Sequence, residues 1–536
     1  MKVISNRVRS PQSGDTTLIS ETVEEPTQNA IATRLPPEVL LQVFLDCVEE
    51  DAEEEADGFS AAWIQSLAHV CHYWRELALD YPLLWSNIVF TRSSKILPLK
   101  MLELSRNVPI SIRVNLGCAP HSKLYESVQE VLHHAPRAKE ISLESVDSER
   151  FNNLLASLPA SFPFLERLSL KGILLDSRMM AFQVPSQLFT NDPLSLRSLT
   201  LHHCATTFDE QLFPVHCHKL VNLDLCHVGP LRCDTILTIL ENATNLETIS
   251  IDSVTGFMPT GGLPEPQPNQ IVDLPNLTRL ALCDQAFAVF SLLRYLSFPI
   301  QAVINLRFSI GTFLPFPIFS LLTSHLARSP PMQSILLHAQ DFRARRGLRV
   351  MAWNKNIPPE YFYIEDLPAP KLDVHFSCTD GSDDAALRIA LNDLLRSVTV
   401  SSVHSLTIAR ITQVIPTDLW SGLLSSFASV RDLCLHGSTA IRNISTVLGS
   451  SMSLLPKLET LTIYEAAFRS SAGARDFDFS ALMGCLKARE KNGKKVPRLV
   501  VCYSDARRED MEVLAGCATE FVWDGSQQGR QSVPVP

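Results

Sequence analysis

Histidine and cysteine crowd one stretch of this sequence. "HHC" falls at 202–204, "HCH" at 216–218, "CH" at 226–227, and Cys233 follows. Imidazole and thiolate are the ligands that zinc favours. The spacings match no standard zinc pattern, and cysteine is often buried for packing alone. If His202 and Cys226 occupy the same place in neighbouring strands, they stand about 5 Å apart. The reading from residue types is no metal and no cofactor, with a metal-dependent enzyme on 202–233 kept as an alternative. Signatures of other chemistry are missing: no P-loop, no G-x-G-x-x-G, no G-x-S-x-G and no H-E-x-x-H. Paired acids gather mainly at 49–57. The chain therefore reads as a binding protein without catalysis of its own.

Composition supports an intracellular protein. Of 536 residues, 46 % are apolar and the net charge is −10. That balance argues against a nucleic-acid partner, which needs clustered Lys and Arg. The 13 cysteines are scattered with no C-x-x-C pair, as expected of reduced thiols in the cytoplasm or nucleus. "MKVISNRVRS" lacks an apolar signal region, and 1–30 reads as a disordered tail. No membrane partner is expected. The most apolar stretch, 286–306, is broken by Arg294 and Pro299.

Residues 31–90 read as three short helices. Leu35-Pro36-Pro37 suits a helix start, and Glu38 lies at the positive end of the dipole. Val39, Leu40, Val43, Phe44 and Cys47 then recur at helical spacing. A second helix is expected over 61–70 and a third from Cys71 to Asp80. Pro82 ends it, and "NIVF" reads as extended. Between the first two helices lies "EEDAEEEADG", with seven acids at 49–57, expected as a solvated loop. So small a unit needs something to lean on, either the rest of the chain or a partner.

"LPPEVLLQVF…LAHVCHYWRELALDYPLLWSNIVF" resembles an F-box, in the version common in mushroom-forming fungi. Leu35, Pro36, Glu38, Val39, Leu40, Val43, Phe44, Val70, Cys71, Trp74, Arg75, Ala78, Pro82, Leu84 and Trp85 carry the likeness. The resemblance implies docking on a Skp-type adaptor and, through it, a cullin ubiquitin ligase. It implies adaptor contact by Leu35, Pro36, Leu40, Val43 and Phe44, with Trp74 beside them.

Beyond residue 130 a hexad recurs, apolar at places 1, 4 and 6. "LERLSL", "LRSLTL", "LVNLDL", "LETISI", "LTRLAL", "VINLRF" and "MQSILL" follow "AKEISL", and "VHSLTI", "VRDLCL" and "LETLTI" come later. From Ile141 to Ile335 seven intervals span 194 residues, about 28 each. Leucine-rich repeats run to roughly 20–29 residues, and the pattern resembles them in part. Apolar residues two apart suit a strand with one buried face. Helical stretches such as "DTILTILENAT" lie between copies. The expected fold is α/β: a disordered tail (1–30), a short all-helical F-box (31–90), an irregular leucine-rich-repeat-like strand–helix solenoid (91–524) and a second disordered tail (525–536). The Pro-rich 260–270, the 341–370 region, and the basic runs at 343–349 and 487–495 read as solvated loops or helix faces.

Places 3, 5 and 7 of each strand point away from the core. They carry Arg167, Lys171, Asn222, Asp224, Arg279, Arg307, His338, His436 and Tyr464, the candidate target-binding set. Solenoids bind proteins on such faces. The functional expectation is a substrate receptor of a Skp–cullin–F-box ligase holding an unidentified target protein. A scaffold acting outside any ligase is the other binding alternative.

Overall fold

The computed structural model describes residues 35–54, 67, 69–90, 96–117, 122–159, 161–173, 182–185, 188, 195–206, 218–229, 231, 233–252, 271–310, 318–339, 347–357, 367–378, 384–398, 400–410, 417–468 and 477–525. The expected 1–30 tail, most of the 61–70 helix, the 260–270 insert, His216, Cys217 and 526–536 lie outside them.

Seventeen of the described strands join into one sheet, and two short parallel pairs, Phe182–Val184 with Cys204–Thr206 and Val272–Asp273 with Leu296–Ser297, stand apart from it. In chain order the strands of the large sheet are β1 (Asn87–Ile88), β2 (Ile110–Asn115), β3 (Ala138–Ser145), β4 (Arg167–Gly172), β5 (Ser198–His202), β6 (Asn222–Cys226), β7 (Thr248–Asp252), β8 (Arg279–Gln285) and β9 (Val303–Ile310). Then come β10 (Ser334–Ala339), β11 (Gly347–Trp353), β12 (Leu372–Cys378), β13 (Ser405–Ala409), β14 (Asp432–His436), β15 (Thr460–Tyr464), β16 (Val496–Cys502) and β17 (Ala518–Trp523). Strands β1 to β9 lie side by side in sequence order, all parallel. Next to β9 stands β12, then β11, then β10, and sequence order resumes from β13 to β17. Among the described strands only β11 runs antiparallel to its neighbours.

The hexads explain this pairing. Place 4 forms one row: Leu168, Leu199, Leu223, Ile249, Leu280 and Ile304 are successive register partners. The row continues through Leu372, Ala352, Ile335, Leu406, Leu433, Leu461 and Leu499. Every member is buried, in one core shared with the connecting helices, such as Cys233–Asn242 and Ser438–Ser450. A slip of one residue in any strand would turn its leucines out to solvent, so the alternation enforces the register.

Six strand ends share a second feature. The residue after place 7 is left-handed at His203 (φ 55°), His227 (49°), Arg410 (49°), Gly437 (88°), Glu465 (51°) and Tyr503 (47°). Only one of these is glycine, the residue that adopts such φ without steric cost. Backbone bonds hold most of them: His203 N–H donates to Cys226 O and His227 N–H to Asp252 O, both at 2.8 Å. Arg410, Gly437 and Glu465 likewise donate to the carbonyls of His436, Tyr464 and Cys502. Nothing in the side chains announces this step.

The first module leans on the sheet. Helix α1 (Pro37–Glu54) and helix α2 (His72–Asp80) are followed by a 3₁₀ turn at Pro82–Trp85. Strand β1 follows and pairs with β2. Trp85 is buried, and its indole N–H donates to Ala78 O at 2.7 Å. Leu40, Phe44, Trp85 and Phe90 belong to the same core as Ile110 and Ile112.

Four expectations are corrected. Acidic residues 49–54 continue helix α1 instead of forming a loop, since Glu, Asp and Ala hold no turn signal there. The hexad at 303–308 is shifted by two: Leu280 pairs with Ile304, not Leu306, so Arg307 sits at place 7 opposite Cys283. Residues 347–353, expected as loop, form β11 inside the sheet. There Leu348, Val350 and Ala352 enter the main core, while Met351 and Trp353 pack with Leu336 and Ile357 on the opposite face. Within the basic run 487–495, Arg489 is buried, and its guanidinium donates to the carbonyls of Leu454 and Leu455, both at 3.2 Å.

Candidate functional site: an apolar ridge and a polar sheet face

Helix α1 and the residues leading into it carry two apolar stripes, each spaced by four. Leu40, Phe44 and Val48 are 1 %, 0 % and 4 % exposed, and Phe44 packs on Trp74 with ring centroids 5.0 Å apart. Leu35, Val39 and Val43 are 39 %, 47 % and 41 % exposed on the other side. Pro36 is exposed beside them, and Trp74 is half-buried. Of the residues expected on the docking edge, Leu40 and Phe44 are thus corrected to core. Phe44 meets the chain's own Trp74, and Leu40 lies one turn away in the same core. Leu35, Pro36 and Val43 remain outside, and Val39 joins them. A helix of this length presents both stripes in sequence, and only the partner ring decides which is inside.

The sheet face opposite the helices differs between its two halves. Across β2 to β7 most outward places are partly exposed, and several are bonded strand to strand. Glu140 lies between two arginines: Arg113 grips it with two bonds of 2.7 and 2.9 Å, and Arg167 adds one of 3.1 Å. Burial alone would raise the Glu140 pKa, but the two guanidiniums outweigh it and hold the carboxyl below its usual value. Arg113, Glu140 and Arg167 are 27 residues apart in each step, a repeat-length signal that sequence reading overlooked. Asp224 meets His202 at 2.9 Å, and Asn222 accepts from the Thr248 hydroxyl at 2.6 Å. Lys171 is half-buried, next to His202 in the register, while Arg279 and Arg307 are exposed.

The second half is closed. His338, His436 and Tyr464 are 6 %, 9 % and 4 % exposed. His436 pairs with Glu465 at 2.7 Å and meets the Tyr464 ring edge-on. Burial, reinforced by Arg410 and Arg349, pushes the His338 imidazole down to about 4. These three are corrected from open surface to interior: His338 lies on β10 beside the second apolar cluster that β11 adds, and His436 and Tyr464 are covered by each other, Glu465 and Tyr503.

The cysteine–histidine stretch is sorted by the sheet. Cys204 and Cys233 are buried, and burial pushes each thiol up to about 12. His202 is taken by Asp224. His203, Cys226 and His227 come together at the ends of β5 and β6.

With this geometry in view, residues 32–91 match the family model of an F-box-like domain. Domains of that kind generally bind Skp-type adaptors. No curated protein matches the chain. The molecule is therefore an F-box-like helical region followed by a large mixed α/β sheet. Among the described residues no helix is long and apolar enough to cross a membrane.

Proposed function

We propose that this chain is a non-catalytic substrate receptor of a Skp–cullin–F-box ubiquitin ligase, acting in the cytoplasm or nucleus. The observation that carries the reading is the Leu35–Val39–Val43 ridge. It is an exposed apolar stripe on an F-box-like helix whose opposite stripe is already used by the chain's own core. An amphipathic helix with both faces apolar has one face left for a partner. The sheet is read as a leucine-rich-repeat-like solenoid, supported by the unbroken place-4 row and the helices between strands. Its target-binding region is assigned to the open half, with Arg167, Lys171, Asn222, Asp224, Arg279 and Arg307. Holding the target beside the ligase raises the local concentration of its lysines there.

Co-purification of the full chain tests this. The wild type should bring down a Skp-type adaptor and a cullin, and Val39→Asp with Val43→Asp should lose both while keeping the wild-type circular dichroism. Adaptor recovery unaffected by the double substitution would remove the ridge from the interface. Adaptor without cullin would place the protein outside a ligase.

A further inference from the structure

His203, Cys226 and His227 offer two imidazoles and one thiol whose ligating atoms all lie within 4.8 Å of one another. The fold assembles them in a simple way. His202 and Cys226 are register partners in β5 and β6, and the left-handed step after each strand brings up His203 and His227 as a parallel pair. Their rings stack with centroids 4.7 Å apart and planes 18° from parallel. Among the described residues, the same step at Arg410, Gly437, Glu465 and Tyr503 brings no such set together, so the geometry belongs to the fold and the ligand chemistry to these three residues.

We infer that these three side chains form a binding site for a borderline-soft divalent cation of the zinc class, with a fourth position open to water. Two imidazoles and a thiolate are a donor set that selects zinc over magnesium or calcium. Bonds of about 2.0–2.3 Å to one ion require ligand atoms roughly 3.5 Å apart, so closure needs side-chain rotation of about an ångström. His227 is exposed and Cys226 half-buried, which leaves room for that rotation and a route for the ion.

One further observation points to a cation. Among the described residues, the buried His203 Nδ1 has no hydrogen-bond partner. A buried polar atom left in that state is costly, and an ion would satisfy it. Ligation by Cys226 takes the thiolate, so binding a dication releases one proton.

The test uses the full chain without a polyhistidine tag, stripped with chelator and titrated with cobalt(II). One equivalent should bind at micromolar concentration and give a thiolate-to-cobalt charge-transfer band, which zinc then abolishes by displacement. Cys226→Ser should remove the band. His227→Ala, altering an exposed side chain with no cost to the fold, should weaken binding by more than the ~10–100-fold that loss of an outer-shell partner costs. Absence of the band at micromolar cobalt overturns the site. So does a band that survives Cys226→Ser, or an affinity unchanged in His227→Ala. Should Cys226→Ser fail to fold by circular dichroism, the His227→Ala affinity decides alone.

Discussion

Phe44 of helix α1 lies against Trp74 of helix α2, ring centroids 5.0 Å apart and planes inclined at 58°. That contact sets the rotation of α1 about its axis. It draws Leu40 and Val48, one turn away on either side, into the core and leaves Leu35, Val39 and Val43 facing out. The first prediction separates the two stripes. Phe44→Ala should destabilise by about 3–5 kcal/mol, the cost of emptying a buried aromatic site. Val39→Asp and Val43→Asp should change stability by no more than about 0.5 kcal/mol each, as exposed positions do. Urea unfolding measures both. A large loss in the valine variants together with a small one in Phe44→Ala would reverse the assignment of faces.

Acid should weaken the fold through one buried and one half-buried imidazole. Burial and the nearby Lys371 push His325 down to about 4, and His338 is pushed to about 4 by burial and the arginines beside it. In the unfolded chain both titrate near ~6.5. Between these values the unfolded state binds more protons, so stability rises with pH through the window and falls on acidification. The carboxyls of Glu140 and Asp224 are held below their usual values despite burial, and their contribution is lost only at lower pH. Urea midpoints should therefore drop between about pH 7 and pH 5, and drop less in His338→Asn. A midpoint that is flat over that range in the wild type would show that the imidazoles are not buried neutral.

The turn at 452–455 depends on two buried or half-buried cations. Arg489 donates to the carbonyls of Leu454 and Leu455, and Lys494 donates to Met452 O at 2.7 Å. Leu455 itself is left-handed, with φ 44°. Arg489→Met keeps the apolar stem but strands two carbonyls, each costing about 1–3 kcal/mol. The expected outcome is a destabilised protein whose amides in 452–458 exchange with deuterium faster than those of the neighbouring strands. Exchange unchanged in that turn would mean that the guanidinium does not hold it.

Much of the sheet was legible because its apolar period is strict. At Leu168, Leu199, Leu223, Ile249 and Leu280, and again at Leu406, Leu433 and Leu461, only one frame puts leucine or isoleucine at places 4 and 6, and the register follows it. At 303–308 the residues Val303, Ile304, Leu306 and Phe308 offer two frames, and the polar Gln301 spoils the one that the fold uses. The candidate site was legible only by half. Two apolar stripes on α1 were visible as one, since helical spacing does not say which face meets Trp74. For the cysteine–histidine stretch, strand pairing predicted His202 beside Cys226, and they are partners. The clustering of His203 with His227 depends on a left-handed turn at non-glycine residues, which leaves no mark in composition.

Strand β11 is the sharpest test of the sheet order, because Arg-rich surroundings made it look like loop. Its Arg349 pairs with Asp373 of β12 through two bonds of 2.9 and 2.8 Å, and the carboxylate is 8 % exposed. The pair exists only if 347–353 runs antiparallel beside 372–378, with Arg349 two residue pairs from the Asp373–Met351 register, on the same face. Arg349→Ala should leave Asp373 as an uncompensated buried charge and cost about 3–5 kcal/mol. Removing both, in Arg349→Met with Asp373→Leu, should restore much of that loss, since a buried ion pair replaced by packed apolar groups is often neutral. A double-mutant cycle on urea unfolding reads the coupling, which for side chains in direct contact runs to about 0.5–3 kcal/mol. Strictly additive losses would mean that the two residues do not meet, and that β11 does not separate β10 from β12.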